Sequence, residues 1–301
     1  MTRIRTVAAL LCALALLTAL GSSAGAMPGE SGGGVSTVVA TTYDGALRQV
    51  RVYVPPKVPQ RTRVPLLMVL HGLFLDPATA EASTGLDRVA DMDDVALVYP
   101  QGLNGSWNAG TCCDTSSRNR VDDVGFLTHV VDLVDTLQPI DRNRVYVAGF
   151  SNGGMMALRA ACARPDVFAA AASVAGTLQS ACLSSQPSSA LLLHGLRDTT
   201  VPYDGSRYSR FLQTPLTPVR AASLTLARHA GCVALRRSPS PRHSTMSYRG
   251  CVPGTSVELV TAPALGHRWP SAAADGVDGE RLVWDFLRRH ARLPALGSRT
   301  S

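Results

Sequence analysis

Five residues in the middle of the chain have the types and order of an activated nucleophile. Residues 149–153 read Gly-Phe-Ser-Asn-Gly, between a β-rich run and a helical pattern. This context predicts that Ser151 stands on a strained turn with its hydroxyl exposed, where glycines leave room for the strand and helix. A plain helix N-cap serine is the alternative, disfavoured because Gly153 and Gly154 would make a poor first turn. A serine hydroxyl attacks acyl groups only when a base takes its proton.

A base and an acid occur later in the chain at equivalent places. Asp198 follows the apolar run 190–193, and His267 follows the run 257–261. Each therefore lies in the loop after a predicted strand, and ligand-facing residues gather at that end of a parallel sheet. The sequence predicts Ser151 as nucleophile, His267 as general base and Asp198 as the acid that orients the histidine.

Two other residues compete for these roles. Asp204 is the nearest rival to Asp198, but an aspartate before a glycine often only caps a turn. His71 precedes the serine. In folds whose nucleophile stands on such a turn between a strand and a helix, the order along the chain is serine, acid, histidine. We therefore interpret His71 as structural.

Four further residues are expected to bind the substrate. The backbone N–H groups of Leu73 and Asn152 are candidates for the oxyanion hole, since one lies after an early strand and the other after the nucleophile. Trp107 and Trp269 are candidates to stack on an aromatic or sugar ring, with an apolar wall as the alternative. No Cys-x-x-Cys pair or His-x-x-x-His spacing suggests a metal site, and we expect no cofactor.

Apolar runs that alternate with helical patterns predict the fold. The runs are too continuous for half-exposed strands, which favours buried parallel strands. They cover residues 66–70, 96–99, 145–148, 169–174 and 190–193, and helical patterns cover 84–94, 121–137, 153–163 and 279–290. Before them, 36–42 and 48–54 flank an Asp-Gly turn signal. The prediction is a single-domain α/β-hydrolase fold, a mostly parallel doubly wound sheet with an antiparallel N-terminal hairpin.

The two ends of the chain predict its domain organisation. Residues 1–26 have a basic start, an apolar run of about 14 residues and an Ala-Gly-Ala cleavage pattern, typical of a secretory signal and short for a membrane span. We expect a flexible leader over 27–35, one catalytic domain over 36–292 and a tail over 293–301. The chain of 301 residues, 46% hydrophobic, suits one such core.

The charge gives little support to nucleic-acid binding. The formal net charge is +7, and removal of a signal with two arginines and no acids leaves 7 − 2 = +5. Most arginines are scattered, and the one short cluster, at residues 236–249, is interpreted as a solvated surface loop.

Six cysteines remain after the signal, an even number that predicts disulfides in an oxidising compartment. Sequence proximity favours Cys162 with Cys182 and Cys232 with Cys251. This choice leaves Cys112 and Cys113 for each other.

Five blocks together resemble the secreted polyhydroxybutyrate depolymerase and feruloyl esterase group of carbohydrate esterase family 1, in the α/β-hydrolase superfamily. The blocks are residues 70–72, 107–108 with 112–113, 121–126, 149–154, and 194–198 with 266–270. The resemblance spans about residues 36–291 and implies action on carboxylic esters, with Ser151, Asp198 and His267 as the triad. Two features depart from the group, the Leu-Phe-Leu after residue 72 and the basic stretch 236–243, so the acyl preference stays open. Within the third block, Asp122 and Asp123 begin a helix, where capping explains them better than catalysis.

The sequence therefore predicts a secreted serine carboxylic ester hydrolase whose partner is a small or oligomeric ester. The alternatives are an extracellular acyltransferase with the same triad and a non-catalytic protein that keeps the fold. We expect neither nucleic-acid binding nor a membrane span, and the sequence leaves the oligomeric state open.

Overall fold

The computed structural model describes residues 34–59 and 62–292. The predicted signal segment, most of the leader and the predicted tail lie outside the described residues. The strands are β1 Val35–Tyr43, β2 Ala46–Val54, β3 Val64–Leu70, β4 Ala96–Pro100, β5 Ile140–Phe150, β6 Ala170–Val174, β7 Ser189–Gly195, β8 Ser206–Ser209, β9 Thr214–Leu216, β10 Ala234–Pro239, β11 Ser244–Arg249 and β12 Val257–Ala262. The α-helices are α1 Pro77–Thr84, α2 Leu86–Asp93, α3 Asp114–Arg118, α4 Asp123–Leu137, α5 Asn152–Ala163, α6 Val219–His229, α7 Ala272–Asp275 and α8 Gly279–Leu287.

Ten of the strands form one sheet in the order β1-β2-β4-β3-β5-β6-β7-β12-β11-β10. The six central strands, β4 to β12 in that order, run parallel, and an antiparallel pair extends each edge. The predicted fold class and N-terminal hairpin are therefore confirmed. Strands β3, β4, β6 and β7 are buried along their whole length, as their continuous apolar sequences require.

The helices cover both faces of this sheet. One core layer packs α4, α5 and α6 against the sheet, and the other packs α1, α2 and α8. The chain passes from β3 to β4 on one side and continues from β5 on the other, so the order of the strands reverses between β3 and β5. Ligands of open α/β sheets bind beyond the carboxyl ends of the strands at this reversal. In the paired register Leu70 lies beside Gly149, which places the ends of β3 and β5 next to each other.

The basic cluster at residues 236–249 is not the surface loop that the sequence suggested. It forms β10 and β11, the antiparallel pair at the far edge of the sheet. Residues of β10 are almost all exposed on both faces, so the strand lacks the alternation of apolar and polar residues that predicts strands.

Three disulfides are present. Cys162–Cys182 and Cys232–Cys251 are the pairs that sequence proximity favoured, and Cys112–Cys113 is the pair that this choice left over. The first ties the end of α5 to the segment before β7. The second joins Cys232, just before β10, to Cys251, just after β11, and so connects the two ends of the β10–β11 hairpin. No helix in the described part of the chain is both long and apolar enough to cross a membrane.

Candidate active site

Ser151 stands on a sharp turn between β5 and α5. Its backbone has φ 55° and ψ −119°, a conformation that a residue with a Cβ adopts only under strain. The turn is held because the Ser151 N–H donates to the carbonyl of Val174 at 2.8 Å, and the Met155 N–H donates to the Ser151 carbonyl at 3.0 Å.

The flanking glycines are required by close backbone contacts. A Cβ on Gly149 would overlap the backbone of Gly153, and a Cβ on Gly153 would overlap the carbonyl oxygens of Leu70 and His71. The strand, the turn and the helix can therefore approach this closely only without side chains at the two positions.

The imidazole of His267 lies between the serine and an aspartate. Its Nε2 is 3.0 Å from Ser151 Oγ, and its Nδ1 is 2.7 Å from Asp198 Oδ2. Asp198 follows β7 and His267 follows β12, neighbouring strands that bring both loops to the rim where β5 ends. The structure thus brings the three sequence-predicted residues together in one hydrogen-bonded line.

The Asp198 carboxylate is held by backbone donors. Its Oδ1 accepts from the N–H groups of Thr200 at 2.9 Å and Val201 at 2.8 Å, which leaves Oδ2 for His267. The rival Asp204 is exposed in a turn next to Gly205. The carboxylate in contact with the histidine is therefore that of Asp198.

His71 is buried away from the serine. Its Nδ1 is 2.7 Å from the carbonyl of Gly72, and its Nε2 accepts from the Gly102 N–H at 3.0 Å. Burial lowers the pKa of His71 to about 4, so the ring is neutral near pH 7. Its hydrogen bonds hold the loop after β3, which agrees with a structural role.

The two backbone amides predicted for the oxyanion hole have free N–H groups. Within the described residues, neither the Leu73 nor the Asn152 amide donates to a protein acceptor. The Asn152 side chain exchanges two hydrogen bonds with the backbone of Trp107, at 2.8 and 3.0 Å. This pairing fixes the first turn of α5 beside the nucleophile.

The structure does not bring Trp107 or Trp269 to the substrate side of the site. Trp107 is 0% exposed, and its indole N–H donates to the His71 carbonyl at 3.0 Å. Trp269 is 9% exposed and packs in the core layer that holds α8. The expected stacking on substrate is wrong for Trp107 because its whole ring lies in the core, and Trp269 does not line the cleft described next.

An open cleft of about 530 Å³ leads to the serine and histidine. One wall contains Ser151, His267 and the loop after β3. The opposite wall is the hairpin of β8 and β9, which sequence reasoning missed as part of the site because its strands are only four and three residues long. The hairpin contributes the following side chains to the lining: Ser206, Tyr208, Ser209, Arg210 and Phe211.

The aspartates at the start of α4 have structural contacts. Asp122 caps the helix by accepting from the Gly125 N–H at 2.9 Å. Asp123 is buried, pairs with Arg48 at 3.1 Å and accepts from the Asn108 N–H at 2.7 Å. Burial raises the pKa of Asp123 above its usual range. This buried pair anchors the segment after Trp107 behind the site.

Over residues 34–59 and 62–292, no group of three or more His, Cys, Asp or Glu side chains is arranged to hold a metal ion.

Comparison with known proteins finds esterases. The model of the family Esterase, described as "Putative esterase", matches residues 42–224. A protein named "Putative esterase NocK" from Nocardia uniformis subsp. tsuyamanensis is 32% identical over 246 residues, 75% of this chain and 72% of that protein. Feruloyl esterase B from Piromyces equi is 28% identical over 80% of this chain but only 45% of its own length. Among solved structures, an acetyl xylan esterase from Aspergillus awamori superposes with a TM-score of 0.56 at 13% identity, covering 81% of this chain and 98% of that one, a likeness of fold.

Proposed function

The chain belongs to the Esterase family and is a carboxylic ester hydrolase, and on that premise we propose that Ser151, His267 and Asp198 catalyse the hydrolysis through an acyl-enzyme. The observation that carries the proposal is the unbroken hydrogen-bonded line from Ser151 Oγ through the imidazole to the Asp198 carboxylate. The strained turn that presents the serine to the open cleft also supports it.

The first half of the reaction forms the acyl-enzyme. His267 Nε2 takes the proton from Ser151 Oγ as that oxygen attacks the ester carbonyl carbon. The negative charge on the carbonyl oxygen is stabilised by the free N–H groups beside the serine, and Asp198 stabilises the imidazolium by accepting from Nδ1–H. When the tetrahedral intermediate collapses, the bond to the alcohol oxygen breaks and the imidazolium protonates the departing alcohol.

The second half returns the enzyme to its resting state. Water gives a proton to His267 Nε2 and attacks the acyl carbon, and collapse of the second intermediate releases the acid and restores the serine hydroxyl. When an alcohol attacks the acyl carbon in place of water, the acyl group passes to the alcohol and the serine hydroxyl is restored, which is transfer instead of hydrolysis. Product analysis with added alcohols separates these outcomes.

We propose that the substrates are esters of short-chain, hydroxyacyl or hydroxycinnamoyl acids outside the cell. The cleft supports this class because leucine, phenylalanine and proline side chains line it beside hydroxyl groups. Three disulfides support secretion, since such bonds persist in oxidising compartments. The domain boundaries predicted at the two ends of the chain belong to the same proposal.

The test is hydrolysis of a panel of 4-nitrophenyl esters, methyl ferulate and 3-hydroxybutyrate oligomers by the secreted form. We expect Ser151→Ala to lower kcat by roughly 10⁴-fold or more, because the nucleophile is lost while the fold stays intact. The matched control is Ser209→Ala, which removes a hydroxyl from the opposite wall and is expected to change kcat less than about tenfold. Full activity in Ser151→Ala would overturn the mechanism.

A further inference from the structure

Positive charge is concentrated in one segment of the chain, and the beginning of that segment lines the cleft. Residues 205–257 contain eight arginines and no aspartate, glutamate or lysine. All eight are exposed, and none of their guanidinium groups forms an ion pair or donates a hydrogen bond to another described residue. Outside the segment, by contrast, eleven arginines form ion pairs in the described structure. The positive charge of this segment is therefore uncompensated.

One of these arginines reaches the cleft itself. Arg210 lies in the turn of the β8–β9 hairpin and lines the same cleft as Ser151 and His267. The cleft lining contains no aspartate or glutamate. Asp198 is 4% exposed behind His267, and its oxygens already accept three hydrogen bonds. A carboxylate on a bound molecule would thus give Arg210 a partner that the cleft lining itself does not supply.

We propose that Arg210 is a specificity-determining residue that selects esters carrying a free carboxylate. The guanidinium presents paired N–H donors that match the two oxygens of a carboxylate. Arg207, exposed on β8 of the same hairpin, adds a positive potential that favours the approach of an anion. Tyr208 and Phe211, on either side of Arg210, supply apolar surface for the carbon skeleton of the same substrate. The inference rests on the proposed catalytic role of this cleft and concerns its choice of substrate.

Two pairs of esters of matched size test the proposal, one for each side of the scissile bond. For the acyl side, the mono-4-nitrophenyl ester of glutarate is compared with that of glutaramate. For the alcohol side, 4-acetoxybenzoate is compared with 4-acetoxybenzamide. The two esters of a pair differ only in that one carries a carboxylate where the other carries a neutral amide. The ratio of kcat/KM for the anionic ester to kcat/KM for the neutral ester therefore measures the recognition of charge.

We expect Arg210→Gln to lower kcat/KM for the anionic ester of at least one pair by roughly three- to tenfold, with the neutral ester changed less than about twofold. The selectivity of the wild type should shrink when the salt is raised from about 0.05 M to 1 M, because screening shortens the reach of exposed charges. Arg236→Gln, on β10 outside the cleft lining, is the matched control and should leave both ratios unchanged.

The contrary outcomes separate the two claims. If the wild type hydrolyses the neutral esters but Arg210→Gln leaves both ratios unchanged, the inference about Arg210 is overturned and the proposed function stands. Equal losses for anionic and neutral esters would likewise contradict charge selection. If the wild type hydrolyses no ester at all, the proposed function fails, and the inference fails with it.

Discussion

The two walls of the cleft differ in how firmly the rest of the molecule determines them. The wall with Ser151 and His267 is built from loops at the ends of β5 and β12, inside the ten-stranded sheet. The wall opposite is the β8–β9 hairpin, a separate two-stranded sheet whose Tyr208 and Phe211 are 58% and 59% exposed. In the first wall the backbone and buried hydrogen bonds fix each side chain. In the second, aromatic and cationic side chains project toward solvent.

This contrast indicates that one wall serves the reaction and the other serves the selection of substrates. Reacting groups need positions fixed to a fraction of an ångström, and the ends of buried parallel strands provide them. Selection among substrates needs surface that can change without disturbing the core, and a short hairpin outside the main sheet provides that. Substitutions in the first wall should therefore have much larger effects than substitutions in the second.

The acid of the triad should show the largest effect among the substitutions that follow. In Asp198→Asn we expect kcat to fall by roughly 10³- to 10⁴-fold, because an amide stabilises the wrong imidazole tautomer and no longer carries a charge opposite the imidazolium. Steady-state kinetics on a 4-nitrophenyl ester measures the loss. Asp204→Asn is the matched control, since Asp204 is exposed and precedes the hairpin, and it should stay within about threefold of the wild type. A larger loss in Asp204→Asn than in Asp198→Asn would exchange their roles.

Substitution of Gly153, two residues after the nucleophile, should have the next largest effect. A methyl group in Gly153→Ala would overlap the carbonyl oxygens at the end of β3, so we expect the free energy of unfolding to fall by about 3 kcal/mol. Urea denaturation followed by fluorescence measures it. Gly266→Ala, beside the proposed base, is the control, because its nearest neighbour is a carbonyl oxygen 3.8 Å away, and it should change stability by less than about 1 kcal/mol. A stable, fully active Gly153→Ala would show that the turn is less tightly packed than described.

The buried histidines should make the fold sensitive to acid. Burial, with a contribution from Arg289, lowers the pKa of His290 to about 4 from the ordinary value of 6.5. The unfolded chain therefore binds a proton as the pH falls through 6.5, while the folded chain stays neutral until about 4, and stability is lost across that window.

Replacement of His290 should remove the part of this acid-induced loss of stability that His290 causes. The linkage predicts that the decrease in unfolding free energy from pH 7 to 4.5 is smaller by about 2 kcal/mol in His290→Gln than in the wild type. His71, with its own pKa lowered to about 4, should still contribute its part in the variant. Identical pH dependence in the two proteins would mean that folding does not lower the pKa of His290.

The hairpin wall should give the smallest effect. Phe211 lines the cleft and packs edge-to-face on Phe74, with ring centroids 6.4 Å apart. We expect Phe211→Ala to lower kcat/KM for methyl ferulate by about fivefold and to leave 4-nitrophenyl acetate nearly unchanged, because only the larger acyl group reaches the ring. The control is Leu183→Ala, at a side chain that is 90% exposed and outside the cleft lining. Equal losses on both esters would indicate an effect on the chemistry instead of the binding of the acyl group.

The sequence best predicted the sheet and the three residues of the triad, which depend on where strands end and on the order of residues along the chain. The buried runs located the sheet, and the loops after them held Ser151, Asp198 and His267, because residues beyond the carboxyl ends of parallel strands meet at one rim. It failed for Trp107, since nothing in the local pattern distinguishes an indole that faces the core from one that faces a ligand. It also missed the β10–β11 hairpin, because exposed strands show no alternation of apolar and polar residues. The position of Arg210 in the cleft lining was missed too, because the short β8 strand gives little local signal and its place beside the site depends on tertiary structure.

The most direct test of the central claim is to label the activated nucleophile covalently and to locate the adduct. The purified protein would be treated with a fluorophosphonate ester, an analogue that phosphonylates activated serines, and the modified peptide identified by mass spectrometry. We expect one adduct per chain, on Ser151, with labelling strongly slowed in His267→Ala because the hydroxyl then lacks its base. An adduct on another residue, or unchanged labelling of Ser151 in His267→Ala, would contradict it.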